Sequence, residues 1–259
     1  MDLGIRGRKA IVCASSQGLG EACARALARE GVEIVLNGRD PEKLEAVARA
    51  IAEEHGVAVH PVAANLNDQA ERERLIAACP DADILVNNNA GPPPGNFFDM
   101  DHAKWLEALE ANLLAPAMMI RGLLPGMQER RFGRVVNITS AMVKTPVGLM
   151  ALSTTARTGL TALCKSLSKG AAPFNVTINN LLPERIDTPR QEQMARVAMK
   201  IGRMTYEEAR QQQVDSIAAG RLGLPGEFAD ACAYLCSAQA GFISGQNLQI
   251  DGGSYDGLI

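Results

Sequence analysis

The sequence Ala10-Ile11-Val12-Cys13-Ala14-Ser15-Ser16-Gln17-Gly18-Leu19-Gly20 joins a short apolar run to a turn with two glycines. The run predicts a buried strand at 10–13, and the residues after the turn predict a helix over 21–30. Glycine at positions 18 and 20 lets the backbone approach a pyrophosphate, and the helix N-terminus adds unpaired N–H groups and partial positive charge. An ordinary tight turn can have the same pattern, so the functional interpretation depends on the rest of the chain.

Short apolar runs alternate with helical periodicity along the whole sequence. Further strands are predicted at 33–36, 57–62, 84–86, 135–138, 176–182 and 247–250, and further helices at 40–55, 68–79, 101–130, 153–170 and 225–237. This alternation predicts an α/β fold, a single-domain, Rossmann-like, doubly wound, seven-stranded parallel sheet flanked by helices. A stretch at about 187–220 breaks the alternation and is predicted to be a lid or an insertion.

Composition argues against several classes of function. There are 26 Lys+Arg against 29 Asp+Glu, and the net charge of −3 offers no attraction to nucleic acid or to an anionic membrane. We find neither a signal-peptide pattern nor an apolar run of about 18 residues, so we expect a cytoplasmic protein without a membrane segment. Six scattered cysteines and three histidines predict reduced thiols and no metal site.

The end of the second strand, Asn37-Gly38-Arg39, bears on the choice of nucleotide. An acidic side chain here would accept the ribose 2′-hydroxyl of NAD, whereas Gly38 provides none and Arg39 can pair with a 2′-phosphate. NADP(H) is therefore favoured over NAD(H). The other interpretation is that Arg39 is a solvated loop charge that contributes little.

Further motifs follow the glycine turn in a fixed order. They are Asn87-Asn88-Asn89-Ala90-Gly91, Asn112, Val136-Asn137-Ile138-Thr139-Ser140, and Ile243-Ser244-Gly245-Gln246 with Asp251-Gly252-Gly253. With these motifs the chain resembles a short-chain dehydrogenase/reductase of a divergent branch similar to the 3-oxoacyl-[acyl-carrier-protein] reductases. The resemblance implies one NAD(P)-binding domain over residues 1–259. It also implies a set of cofactor-binding residues: Ser15, Ser16, Gln17, Gly18, Leu19, Gly20, Asn37, Arg39, Asn65, Leu66, Asn88, Asn89, Ala90, Arg157, Pro183, Ile186 and Thr188.

The catalytic residues depart from the family pattern. The resemblance implies a catalytic Ser140 and a supporting Asn112, but Ser153-Thr154-Thr155-Ala156-Arg157 stands where the family has Tyr-x-x-x-Lys. Ser140 is expected to bind the substrate oxygen. A serine hydroxyl is a far weaker acid than a tyrosine beside a lysine, so Ser153 is expected to assist by donating a hydrogen bond but to be a poor proton source. Arg157 stays cationic and is expected to hold the nicotinamide ribose. Ala14, Asn65 and Glu184 also replace a glycine, an aspartate and a glycine of the family.

Another acid could take the place of the missing tyrosine. Lys144 lies four residues after Ser140, and a desolvated lysine can transfer protons, although Lys144 could equally be a surface lysine. Tyr206, in the stretch at 187–220, and Tyr255, in the C-terminal tail, are further candidates. Tyr234 is expected in the core.

Two functions stay open on the sequence alone. The first is an NADP(H)-dependent oxidoreductase that interconverts a ketone, with a 3-oxoacyl compound as one candidate, and a secondary alcohol. The second is a nucleotide-binding protein with little or no turnover that senses or binds a partner. Relatives pair through the helices at 101–130 and 153–170 and through the C-terminal strand, so we expect a homotetramer or a dimer that acts on a small molecule.

Overall fold

The fold is built on one seven-stranded sheet. The structure, a computed structural model, describes residues 1–258. Its strands are β1 (Lys9–Val12), β2 (Glu33–Gly38), β3 (Val59–Ala63), β4 (Ile84–Asn87), β5 (Gly133–Ile138), β6 (Val176–Pro183) and β7 (Asn247–Ile250). Their order in the sheet is β3-β2-β1-β4-β5-β6-β7. Every neighbouring pair is parallel, as expected when helices connect the strands. The predicted doubly wound α/β fold is confirmed.

The helices lie between the strands, as the periodicity predicts. They are α1 (Gly18–Arg29), α2 (Pro41–His55), α3 (Gln69–Ala78), α4 (His102–Leu109), α5 (Ala115–Glu129), α6 (Ala151–Ala171), α7 (Pro189–Gly202), α8 (Tyr206–Asp215) and α9 (Pro225–Cys236). At α2 the Asp40 side chain accepts a hydrogen bond from the Lys43 N–H, and Gly56 closes the helix in the left-handed conformation. Asp40 therefore satisfies a donor that the first helical turn leaves unpaired.

Apolar cores cover both faces of the sheet. Ala10 and Val12 of β1 belong to the core that contains residues of α1, α2 and α9, whereas Ile11 and Cys13 belong to the core that contains residues of α3, α5 and α6. Successive side chains of a strand point to opposite faces, so a strand buried on both sides is apolar throughout. This explains why the apolar runs of the sequence are continuous instead of alternating.

Three local predictions need correction or refinement. The helix predicted over 101–130 is divided by a π-type turn at Glu110–Leu114, a feature that is frequent at functional sites. Tyr234, expected in the core, is 41% exposed, because it lies on the outer face of α9. The stretch at 187–220 contains two ordered helices, α7 and α8.

Two further features concern membrane-spanning helices and the cysteines. Within residues 1–258, no helix is both long and apolar enough to cross a bilayer. All six cysteines are buried as free thiols.

Candidate active site

Two adjoining cavities of about 620 Å³ and 380 Å³ lie at the carboxyl ends of the central strands. Crevices at this edge are where doubly wound sheets bind ligands. The two cavities share the residues Ala14, Gln17, Asn89, Ala90 and Gly91. They therefore form one continuous cleft, with a larger and a smaller part.

The turn between β1 and α1 forms the floor of this cleft. Gly18 has a φ of +62°, and a Cβ at Gly20 would lie 2.3 Å from the Ala14 carbonyl oxygen, so a side chain at Gly20 cannot be accommodated. The Gln17 side chain makes no hydrogen bond to the start of α1. The first N–H groups of α1 therefore remain available to an anion. Ala14, which replaces a family glycine, has a φ of +45°.

Ser15 and Asn37 shape this turn from within. Ser15 Oγ lies 2.8 Å from the Val12 carbonyl oxygen, and the Asn37 side chain accepts from the Ala14 N–H at 3.1 Å. Both residues are buried, and Ser15 lines neither part of the cleft. The structure thus gives the Ser15 side chain, predicted as a cofactor ligand, a supporting position behind the turn.

Gly38 and Arg39 lie at the edge of the larger cavity. Ser16, Gly38 and Arg39 line it, and a Cβ at Gly38 would lie 3.1 Å from Ser16 Oγ. An acidic side chain at position 38 would therefore require the Ser16 side chain to move. Lys43, which sequence reasoning missed, hydrogen-bonds Gln17 and brings a second cation to this end of the cleft.

The loops after β3 and β4 form the opposite wall. Asn65 and Leu66 line the larger cavity, Asn88 lines the smaller cavity, and Asn89 and Ala90 line both. Asn88 Nδ2 donates to the Ala14 carbonyl at 3.2 Å. This bond joins the loop after β4 to the glycine turn, so the two walls have a fixed separation.

Ser140, Ser153 and Arg157 come together in the smaller cavity. Arg157 Nε donates to Ser153 Oγ at 3.2 Å, and Ser140 Oγ accepts from the Met142 N–H at 3.2 Å. Each serine oxygen is an acceptor in these bonds, so each hydroxyl hydrogen can be donated to a ligand.

Arg157 is held mainly by backbone carbonyls. Its Nη1 donates to the carbonyls of Ile138 and Thr139 at 2.7 and 3.1 Å, and its Nη2 donates to the Asn89 carbonyl at 3.4 Å. Burial, and to a smaller extent Arg190, lowers the pKa of Arg157 to about 10, so it is a cation at neutral pH. Through these hydrogen bonds the guanidinium group connects α6 to the carboxyl ends of β4 and β5.

Asn112 lies in the π-type turn between α4 and α5 and lines the larger cavity. Its Nδ2 donates to the Ala90 carbonyl at 3.3 Å, whereas its Oδ1 is buried without a hydrogen-bond partner. A buried acceptor of this kind is normally satisfied by water or a ligand. This is the place where the resemblance implies a supporting water.

The segment after β6 closes the smaller cavity. Pro183, Ile186 and Thr188 line it, as do Leu19 and Gly18 from the glycine turn. The first turn of α7 also lines it, and Arg190 Nη2 donates to the Pro92 carbonyl at 3.1 Å. This contact joins the predicted lid to the proline-rich segment that forms one wall of the larger cavity.

The acids predicted as replacements for tyrosine lie elsewhere. Among residues 1–258, Lys144, Tyr206 and Tyr255 line neither cavity. The Lys144 ammonium lies 5.1 Å from the centre of the Tyr255 ring, and Arg196 lies over Tyr206. Lys144 therefore makes a contact at the C-terminal tail and not in the cleft.

The smaller cavity also contains Glu184, Arg185 and Arg190, which sequence reasoning did not predict as site residues, and Glu184 is the one carboxyl in its lining within residues 1–258. The side chain is 22% exposed, and its Oε1 lies 3.3 Å from Arg185 Nε. Burial raises the pKa of Glu184, Arg185 opposes this, and Asp251 raises it further. The replacement of a family glycine at this position was the available signal.

Comparison with known proteins agrees with this geometry. A family model described as enoyl-(acyl carrier protein) reductase matches residues 13–255. The 3-oxoacyl-[acyl-carrier-protein] reductase FabG of Aquifex aeolicus is 33% identical, over 98% of this chain and 100% of that protein. The NADPH-dependent reductase BacG of Bacillus subtilis is 31% identical, over 97% of this chain and 99% of that protein.

Solved structures have the same architecture over the full length. The L-sorbose reductase of Gluconobacter frateurii, complexed with NADPH and L-sorbose, superposes with a TM-score of 0.95 at 28% identity and covers 100% of both chains. Because the family model and the relatives span nearly the whole sequence, one conclusion follows: the chain belongs to the short-chain dehydrogenase/reductase family of oxidoreductases.

Proposed function

We propose that the protein is an NADP(H)-dependent oxidoreductase that interconverts a ketone and a secondary alcohol. One observation carries this proposal: Ser140, Ser153 and Arg157 line the same cleft as the Gly18 turn. A nucleotide whose phosphates lie at the turn would therefore extend its nicotinamide toward the serines. The NADPH complex of L-sorbose reductase and the name of the BacG reductase support this choice of cofactor.

The residues present fit this cofactor. Gly20 has no room for a Cβ, and the uncapped N-terminus of α1 suits a pyrophosphate. Arg39 would pair with the 2′-phosphate, the loops at Asn65 and Asn88 would enclose the adenosine and nicotinamide halves, and Thr188 would face the phosphates. When bound, NADPH supplies a hydride.

The chain's own residues orient the substrate. The hydroxyl groups of Ser140 and Ser153 donate hydrogen bonds to the carbonyl oxygen of the substrate and so fix its position. The positive charge of Arg157, behind Ser153, stabilises the negative charge that develops on that oxygen. Arg157 also keeps Ser153 in position through its Nε. The buried Oδ1 of Asn112, which has no hydrogen-bond partner, would accept a hydrogen bond from a water.

The substrate class proposed first is a 3-oxoacyl compound, which the name of the Aquifex relative supports. Apolar side chains line part of the larger cavity and suit an apolar chain: Pro92, Pro93, Pro94, Met100 and Leu152. The buried free thiols favour a reducing, cytoplasmic setting. We also propose a homotetramer or a dimer as the working form.

The alternative is a nucleotide-binding protein without turnover. It is supported by the lining of the cleft, which contains no tyrosine among residues 1–258. The test measures NADPH binding by fluorescence beside NADPH oxidation on 3-oxoacyl thioesters, ketoses and simple ketones. Tight binding with turnover supports the oxidoreductase. Tight binding with no oxidation on any ketone supports the alternative, and a failure to bind NADPH contradicts both.

A further inference from the structure

Ketone reduction needs an acid that the serine pair does not supply. The substrate oxygen must gain a proton as the carbonyl carbon gains a hydride, and a serine hydroxyl is too weak an acid to give one efficiently. Lys144, Tyr206 and Tyr255, the candidates suggested by the sequence, line neither cavity of the described chain. The proton source has to be sought among the side chains that do line the smaller cavity.

The ionisable groups of that lining, within residues 1–258, are Arg157, Glu184, Arg185 and Arg190. The N–H groups of Arg157 already donate to Ser153 and to three backbone carbonyls, and guanidinium groups are poor proton donors in general. Glu184 is the one carboxyl among them, and a carboxyl gives up its proton readily. Among the ionisable side chains that line the smaller cavity, Glu184 is therefore the candidate proton donor.

A backbone hydrogen bond holds Glu184 at the carboxyl edge of the sheet. Its N–H donates to the Ile250 carbonyl at 3.0 Å, which continues the register in which Pro183 pairs with Ile250. Glu184 is therefore held directly beyond the carboxyl end of β6. The family has a glycine at this position, so the carboxyl is an addition to the site that accompanies the loss of the tyrosine.

The charges around Glu184 come from several elements. Arg185 Nε lies 3.3 Å from Glu184 Oε1, and Asp251 approaches from the end of β7, with one carboxyl oxygen buried and unpartnered. Arg157 of α6 and Arg190 of α7 line the same cavity. Burial is the largest influence and raises the pKa of Glu184; Arg185 opposes it and Asp251 reinforces it. Glu184 thus keeps its proton to a higher pH than an ordinary glutamate.

We propose that Glu184 is the acid that protonates the substrate oxygen in ketone reduction, in the place of the family tyrosine. This inference rests on the proposed function. The carbonyl carbon receives the hydride of bound NADPH, the π electrons of the C=O bond move to oxygen, and the oxygen takes the proton of the Glu184 carboxyl. The products are a secondary alcohol, NADP⁺ and the Glu184 carboxylate, which regains a proton from solvent. In alcohol oxidation the carboxylate acts as the base.

The first test compares Glu184→Gln, Glu184→Asp and the control Glu207→Gln, which alters an exposed carboxyl on α8. We expect Glu184→Gln to lower kcat by about 10²-fold or more and to remove the alkaline limb of the reduction pH profile. Glu184→Asp should retain part of both, and NADPH binding by fluorescence should be unchanged in all three. A Glu184→Gln variant that keeps the parent kcat and pH profile would overturn the proposal and leave the proposed function intact.

The second test needs no substrate. Because the folded-state pKa is raised, the Glu184 contribution to stability is fully present below the unfolded pKa and is lost as pH rises through the folded pKa. The free energy of unfolding of the parent should therefore fall, relative to Glu184→Gln, as pH rises above the ordinary glutamate pKa of about 4.3. A difference that is independent of pH overturns the proposal even if no ketone is found. Failure of the parent to bind NADPH would instead contradict the proposed function.

Discussion

Arg39 is the residue whose charge separates the two nucleotides. It is exposed at the edge of the larger cavity beside Gly38. A charge-assisted contact to the 2′-phosphate is worth about 1.5–3 kcal/mol, roughly 10- to 150-fold in Kd. Arg39→Ala should weaken NADPH binding by this factor and leave NADH binding unchanged, as measured by fluorescence titration.

The matched control is Arg49→Ala, which removes an exposed arginine from the outer face of α2. It should change neither affinity. Equal weakening of NADPH and NADH in Arg39→Ala, or tighter NADH binding by the parent, would show that Arg39 does not select the cofactor.

Ser153 and Arg157 give the second prediction at this scale. Lysine at 157 cannot reproduce the bonds to the Ile138, Thr139 and Asn89 carbonyls, and a buried group left unpaired costs about 1–3 kcal/mol. The double variant Ser153→Tyr/Arg157→Lys should therefore unfold at a lower temperature and have lower reductase activity than the parent. Thermal unfolding and a ketone reduction assay measure the two effects.

The control for the charge exchange itself is Arg49→Lys, which should leave both measurements unchanged. A rise in reductase activity in the double variant would contradict our interpretation. It would mean that the parent site has lost an acid that tyrosine restores, and that no other group in the cleft has replaced it.

At the scale of the element, the turn from β1 into α1 contains local strain. Ala14 has a φ of +45°, a conformation in which its Cβ crowds the backbone, whereas glycine adopts it freely. Relief of this strain exceeds the entropy that glycine adds to the unfolded chain. Ala14→Gly should raise the free energy of unfolding by about 0.5–1 kcal/mol, measured by urea denaturation.

Ala50→Gly supplies the opposite case. Ala50 is exposed in the interior of α2, where glycine costs about 1 kcal/mol. If both variants are destabilised equally, the backbone of Ala14 is not strained and the prediction is wrong.

At the scale of the whole molecule, the apolar surface predicts self-association. Leu106 and Leu114 are 54% and 44% exposed on the α4–α5 face, and Leu248 is 40% exposed on the edge strand β7. Burying such side chains between identical subunits removes apolar area from water, and an unpaired sheet edge can be covered in the same step. Light scattering at micromolar concentration should report a tetramer or a dimer.

Leu114→Lys should shift that distribution to a smaller species, whereas Glu45→Lys on α2, away from this face, should not. A monomeric parent would contradict the proposal of a homo-oligomer.

The sequence by itself determined the order of strands and helices, because apolar periodicity and the residues that begin and end helices act over short distances along the chain. It also determined the glycine turn and the family, since the motifs at Gly18–Gly20, Asn88–Gly91 and Ser140 keep their spacing. The structure places these motifs along one cleft. Their order in the chain predicted this, because parallel strands end at the same edge of the sheet.

Only the tertiary structure decided which ionisable side chains enter the cleft. Lys144 is close to Ser140 in sequence but lies over Tyr255, whereas Glu184 lines the cavity that holds Ser140. The burial that raises the pKa of Glu184, and the carbonyls that hold Arg157, come from segments far apart in the chain. Desolvation and long-range contacts depend on packing in three dimensions, which spacing along the chain does not specify.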